Sequence, residues 1–264
     1  MFKNHYDRMR PGATPERVLS LARMIQQEPM GQMEVAKRCE LNDNVQTASE
    51  GIRYMVSAAE ELGLIENQEG KYQFVAEPMA IATPKNFRQY VASKVLTKES
   101  TTFFKVTQWF VASNKEVLPL SKFATFAAEI VKAGIDHVDE NDVLGWRFWM
   151  RFLGIAYQYQ TTLIPNMCVR LQDALQDFAD GQEIGCGEFL SWLKNHVPEA
   201  ASSCSKGGMC LAVSNGLRTL HDLGKIEMIS ANDAEKVYLY PLSGVRLNEF
   251  SAIVVKEAIP DELD

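Results

Sequence analysis

Cys186, His196, Cys204, Cys210 and His221 are the residues in this sequence whose chemistry most readily suggests a metal site. Thiolates and imidazoles are the ligands zinc prefers, yet no two of these cysteines form a C-x-x-C pair, the spacing on which structural zinc sites are normally built. Small buried thiols are the better reading, so no metal is expected. Nucleophilic and phosphate chemistry lack their minimal residues too. The chain contains no G-x-x-x-x-G-K-[ST], no G-x-S-x-G, no H-E-x-x-H and no G-x-G-x-x-G. The expectation is a non-enzyme with no cofactor.

Cations offer a second kind of chemistry. The stretch KNFRQYVASKVLTKESTTFFK carries Lys85, Arg88, Lys94, Lys98 and Lys105 with Tyr90 among them. Basic residues interleaved with an aromatic can follow a nucleic-acid backbone. The same pattern arises on a solvated helix face whose aromatic packs inward, and that is the more frequent outcome. WRFWMRF, at residues 146–152, is the most aromatic run. Its rings cover more than one helix face, which points to a core or an interface and not to a cofactor box.

Composition bounds what can position these residues. The 264 residues are 46% hydrophobic and 23% charged, room for two or three small globular domains. No apolar run reaches the roughly 18 residues of a membrane span, and MFKNHYDRMRPG lacks the apolar core of a signal peptide. Five irregularly spaced cysteines and eleven methionines suit a reducing interior, so free thiols and a cytoplasmic location are expected. The net charge is −7, unevenly spread. Residues 1–75 carry nine basic and eleven acidic residues, 76–165 ten and eight, and 166–264 eight and fifteen, giving −2, +2 and −7. Any contact with nucleic acid must therefore be local, and the acidic third favours a protein partner.

The elements follow a recurring order. Thr14 is a natural N-cap, Pro15 suits the first helical position, and Val18, Leu21, Ala22 and Ile25 make an apolar stripe. A second helix over MGQMEVAKRCEL is expected, then Asn42-Asp43-Asn44 as the turn and cap before a third helix whose stripe runs from Val45 to Leu62. Gly63 stops it, and LIENQEGKYQFV reads as a hairpin turning at Glu69-Gly70. A shift of 161 superposes Leu62-Gly63 on Leu223-Gly224 and the stripe on Val213, Leu217 and Leu220, with a hairpin expected over KIEMISANDAEKVYLYPL. A weaker match at a shift of 91 places Leu153-Gly154 on the same positions, although Arg147 then falls on apolar Val56. Leu62, Leu153 and Leu223 are thus expected to be equivalent core residues.

This helix, helix, turn, helix, hairpin order, carried by residues 14–75 and 169–241, resembles winged-helix DNA-binding domains. The resemblance implies a mainly α fold with small β-hairpins: a winged helix over 12–76, a helical middle unit over 84–165 that is a degenerate winged helix or a plain helical unit, a winged helix over 168–245, and a tail over 246–264. Together with the aromatic middle, it is also similar to DpdG-type proteins of bacterial DNA-modification and defence islands, which implies a non-catalytic accessory factor of a DNA-acting complex. In DNA-binding winged helices the third helix reads the major groove and the wing touches phosphate or the minor groove. Mapped here, the first reader is Gln46, Ser49 and Arg53 with wing Lys71, and Glu50 stands awkwardly among them. The other is Ser205, Lys206, Ser214, Asn215 and Arg218 with wing Lys236, Lys206 lying at the helix start beside Gly207 and Gly208. The leading expectation is DNA binding within a prokaryotic DNA-processing or anti-phage complex. The alternative is an acidic scaffold similar to the tandem winged-helix partners of SMC-kleisin complexes, in which the same faces hold another protein.

Overall fold

The computed structural model describes residues 1–3 and 8–256, and these are mainly helical with small antiparallel sheets. They fall into two compact units, residues 1–106 with 121–153, and residues 107–120 with 154–264, so residues 84–165, expected as one middle unit, are shared between them.

In the first unit, α1 (Pro15–Gln27) begins where the Thr14 hydroxyl accepts from the Arg17 amide, with Pro15 at the first position, where its missing N–H leaves no intrahelical bond unmade. Next come β1 (Met30–Gly31) and α2 (Gln32–Glu40). Then α3 (Glu50–Glu61) leads into β2 (Ile65–Gln68) and β3 (Lys71–Phe74). The sheet order is β1-β3-β2, with Met30 opposite Tyr72 and Ile65 opposite Phe74. Glu69 and Gly70 both have positive φ, 53° and 85°, the conformation a two-residue hairpin turn demands. The start of α3 corrects the expected helix. Asn42 Oδ1 takes the Asn44 amide in a local turn, and the helix begins five residues beyond Val45 with Ser49 as its cap. Asn side chains favour such turns over helix, which accounts for the shortening.

Four further helices complete this unit or pass out of it: α4 (Pro84–Val95), α5 (Thr102–Ala112), α6 (Phe123–Lys132) and α7 (Glu140–Phe152). Trp146 and Trp149 of α7 are fully buried, which explains why α7 sides with the first unit. The Trp149 indole donates to the Ala13 carbonyl at 2.8 Å, and Phe2 packs edge-on to it at 5.0 Å. A buried indole N–H without such a partner would cost free energy, so this bond fixes where α7 meets the segment ahead of α1. Asp139 and Asp142 cap α7 reciprocally.

The second unit opens with the end of α5 and a 3-10 turn, Asn114–Val117, and resumes at the hairpin of β4 (Ala156–Tyr159) and β5 (Thr162–Pro165). It continues through α8 (Cys168–Leu175), β6 (Glu183–Gly185), α9 (Cys186–His196), α10 (Pro198–Ala201) and α11 (Leu211–Asp222) to β7 (Ile226–Ile229). Two short strands, β8 (Val237–Tyr238) and β9 (Glu249–Phe250), pair with each other, and β10 (Ala252–Val255) ends the described chain. The sheet order is β6-β10-β7.

Here the expected hairpin is corrected. The partner of β7 is β10, with Ile253 opposite Met228, and Tyr238 pairs elsewhere. Ala-Ile-Val-Val is buried at three of its four positions, so this strand is covered on both faces and part of the expected tail is core. Residues 257–264 lie outside the described residues. At the heart of this unit, Arg170 pairs with fully buried Glu199 at 2.8 Å and gives a second bond to the His196 carbonyl.

Gly63, Gly154 and Gly224 adopt φ of 70°, 69° and 70°, so all three Leu-Gly steps end helices in the left-handed conformation. The leucines before them are not equivalent. Leu62 and Leu153 are 1% and 0% exposed, whereas Leu223 is 54% exposed. The expectation of three matching core residues is corrected at Leu223.

Candidate nucleic-acid interface

The first set of proposed readers lies on or beside α3. Ser49 caps the helix, its hydroxyl accepting from the Ile52 amide, and so is partly committed to the backbone. Gln46 is exposed in the turn ahead of the helix, its amide 3.4 Å from the Asn44 carbonyl. Arg53, one turn in, and Lys71, at the first position of β3, are both exposed, and among the described residues no carboxylate pairs with either. Glu50 is occupied by the Tyr54 hydroxyl at 2.7 Å, a bond that raises the phenol's pKa, and its charge remains beside Arg53.

An open pocket of about 470 Å³ lies at the same end of α3, lined by Arg10, Gly12, Glu50, Gly51, Tyr54, Asp139 and Asn141. Two helix N-termini face it, which alone would favour an anion. Their potential is already spent. Asp139 caps α7, and its carboxylate accepts from Arg10 at 2.9 Å and pairs with Arg8. Burial, which would lower the Arg10 pKa, is outweighed by Asp142 and Asp139, which raise it. With Glu50 and Asp139 on its walls, the pocket disfavours phosphate.

The second set is drawn inward. Arg218 is only 8% exposed: its guanidinium donates to the Leu247 and Tyr240 carbonyls at 3.0 and 2.9 Å, and burial lowers its pKa. Ser214 is fully buried and accepts from the Tyr240 amide at 2.8 Å. The Asn215 side chain donates to the Pro165 carbonyl at 2.9 Å. Lys236 pairs with Glu249 at 2.6 Å, and Lys206 with Glu235. Ser205 closes a tight turn against Gly208. The supposition that Ser214 and Arg218 lie on an exposed face is therefore corrected: the segment from Tyr240 to Asn248 covers that side of α11. Nothing within residues 211–222 marks this, because the covering chain comes from about thirty residues away.

The basic run on α4 and α5 takes the structural role. Tyr90 donates to the Leu62 carbonyl at 2.8 Å, burial raises its pKa, and Lys94 lies over its ring at 5.3 Å. Lys85, Lys94 and Lys105 are left exposed. No helix among the described residues is long and apolar enough to cross a membrane.

Of the two sets of expected readers, the one that keeps exposed, unpaired cations among the described residues lies on a helix followed by a hairpin, in a mainly helical chain with small sheets. The DpdG-like family matches residues 9–234, most of the chain, and the protein belongs to that family. No curated protein and no solved structure matches it.

Proposed function

We propose that this protein is a non-catalytic, DNA-contacting member of a prokaryotic DNA-modification or antiviral defence assembly, and that its first unit makes the contact as a winged helix. Membership of the DpdG-like family supports the setting. The order α1-β1-α2-α3-β2-β3 with sheet order β1-β3-β2 supports the winged-helix reading of this unit, and β6-β10-β7 around α9 and α11 supports the same reading of the second. One observation carries the choice of surface: Arg53 and Lys71 are exposed and unpaired among the described residues, whereas Lys206, Arg218 and Lys236 are bonded internally. A phosphate contact needs a cation that does not first have to break an ion pair.

The scaffold reading holds for the second unit. Its sequence is the acidic part of the chain, and its former reader residues serve its own packing, so a protein partner fits this unit better than DNA. Mobility shift of duplex DNA across a salt series, with the full chain and an Arg53→Ala, Lys71→Ala variant, tests the proposal. Salt-sensitive binding weakened in the variant is expected. Equal binding by both proteins moves the contact off α3 and β3, and absence of binding by the unaltered protein leaves the scaffold as the function of the whole chain.

A further inference from the structure

The Sγ atoms of Cys204 and Cys210 lie 3.6 Å apart, both side chains buried, while Cys39, Cys168 and Cys186 stand elsewhere. Cys186 is engaged with the Glu235 carbonyl at 3.2 Å. The two close cysteines bracket a short loop whose base is tied by reciprocal bonds between Ser205 and Gly208, at 2.9 and 3.2 Å. Its tip, Ser205 to Gly207, is exposed, and a Cβ on Gly208 would meet nothing within 4 Å, so the loop has room to adjust. Cys210 is the N-cap residue of α11, yet its side chain makes no capping bond.

From this geometry we infer that Cys204 and Cys210 are a peroxide-oxidisable dithiol, closing to an intramolecular disulfide that clamps the loop ahead of α11. A disulfide bond is about 2.05 Å long, so the sulfurs must approach by about 1.5 Å, a side-chain rotation in a loop containing two glycines. The roles within the pair are unequal. The hydrogen bond with Cys210 lowers the pKa of the Cys204 thiol, and the same contact together with burial raises that of Cys210. Cys204 is 7% exposed and Cys210 2%, so Cys204 is the sulfur that peroxide reaches first and Cys210 the resolving one.

The reaction balances with hydrogen peroxide as oxidant. The Cys204 thiolate attacks one peroxide oxygen, the O–O bond breaks, and the departing hydroxide takes the thiol's proton as water, leaving a sulfenic acid. The Cys210 sulfur then attacks that sulfur, the S–O bond breaks, and the hydroxyl leaves with the Cys210 proton as a second water. Two electrons pass from the two thiols to the peroxide. The inference stands apart from the DNA reading, since it concerns the thiols alone.

The test uses the full, unaltered chain, so no variant has to fold. The protein is treated with hydrogen peroxide near equimolar concentration, denatured, alkylated with iodoacetamide and digested with trypsin. Cleavage after Lys194, Lys206 and Arg218 places Cys204 and Cys210 on separate peptides, 195–206 and 207–218, each with one cysteine. The expected result is a cross-linked pair two hydrogens lighter than the sum, a fall from five to three alkylatable thiols, and full reversal by dithiothreitol. Both peptides recovered alkylated, or carrying sulfinic acid without a cross-link, would overturn the inference, as would a disulfide joining either cysteine to Cys39, Cys168 or Cys186.

Discussion

Gly145, in the middle of α7, lies under the carbonyl of Met9 so closely that a Cβ at position 145 would come within 1.9 Å of that oxygen. The Met9 amide in turn donates to Asp142 at 2.8 Å, one turn earlier on the same helix. A stretch of backbone ahead of α1 is thus held flat against α7, and Trp149, one turn beyond Gly145, donates to the Ala13 carbonyl at its end.

Gly145→Ala is consequently expected to destabilise the first unit severely. Overpacking of a core position typically costs about 1–3 kcal/mol, and the obstacle here is backbone, which yields less than a side chain. Chemical denaturation measures the loss. Gly70→Ala, at a hairpin turn with nothing within 4 Å, separates conformational strain from crowding: only the positive φ of 85° opposes it. Equal losses in the two variants would mean that the contact with Met9 contributes nothing.

Leu62→Ala and Leu153→Ala should each cost about 2–5 kcal/mol, the usual range for a buried leucine. Leu223→Ala should change stability by no more than about 0.5 kcal/mol, because that side chain is more than half exposed. A large loss at Leu223 in the isolated chain would contradict the exposed placement.

The three leucines show what was legible in the sequence. Where a helix ends is a local matter, and Leu-Gly at 62, 153 and 223 announced it correctly through the left-handed glycines. Whether the leucine is covered depends on chain arriving from elsewhere, and nothing beside position 223 encodes that. The same distinction explains β10. VYLY, close to β7 and alternating, was the natural partner by pattern, yet the sheet is completed by AIVV at Ala252–Val255. Arg218 fell on the outward positions of its helix, and a segment near Asn248 supplies the carbonyls that bury it. Local caps and stripes were readable, while pairings spanning twenty to thirty residues were not.

Arg218→Ala should therefore behave as a stability variant. It removes the donor for the Leu247 and Tyr240 carbonyls, and leaving such groups unsatisfied costs about 1–3 kcal/mol. Hydrogen exchange should rise in residues 240–248 before it does in α9. Should Arg218→Ala keep full stability and lose only DNA affinity, its assignment to packing would be withdrawn.

The proposed DNA contact makes a graded prediction. Each phosphate contact released lowers the slope of log K against log salt by about one unit, provided the cation is not already paired. Arg53→Ala and Lys71→Ala should each produce that change, since both cations stand unpaired among the described residues. Lys206→Ala should produce less, because DNA would have to displace Glu235 before gaining the contact, and the exposed pair already neutralises the charge. Glu50→Gln offers the converse check. Removing a carboxylate one turn from Arg53 relieves repulsion of phosphate, so affinity should rise while the slope stays near that of the unaltered protein. A series in which Lys206 dominates and Arg53 is silent would shift the contact to the start of α11, and the first unit would then be the one that docks protein.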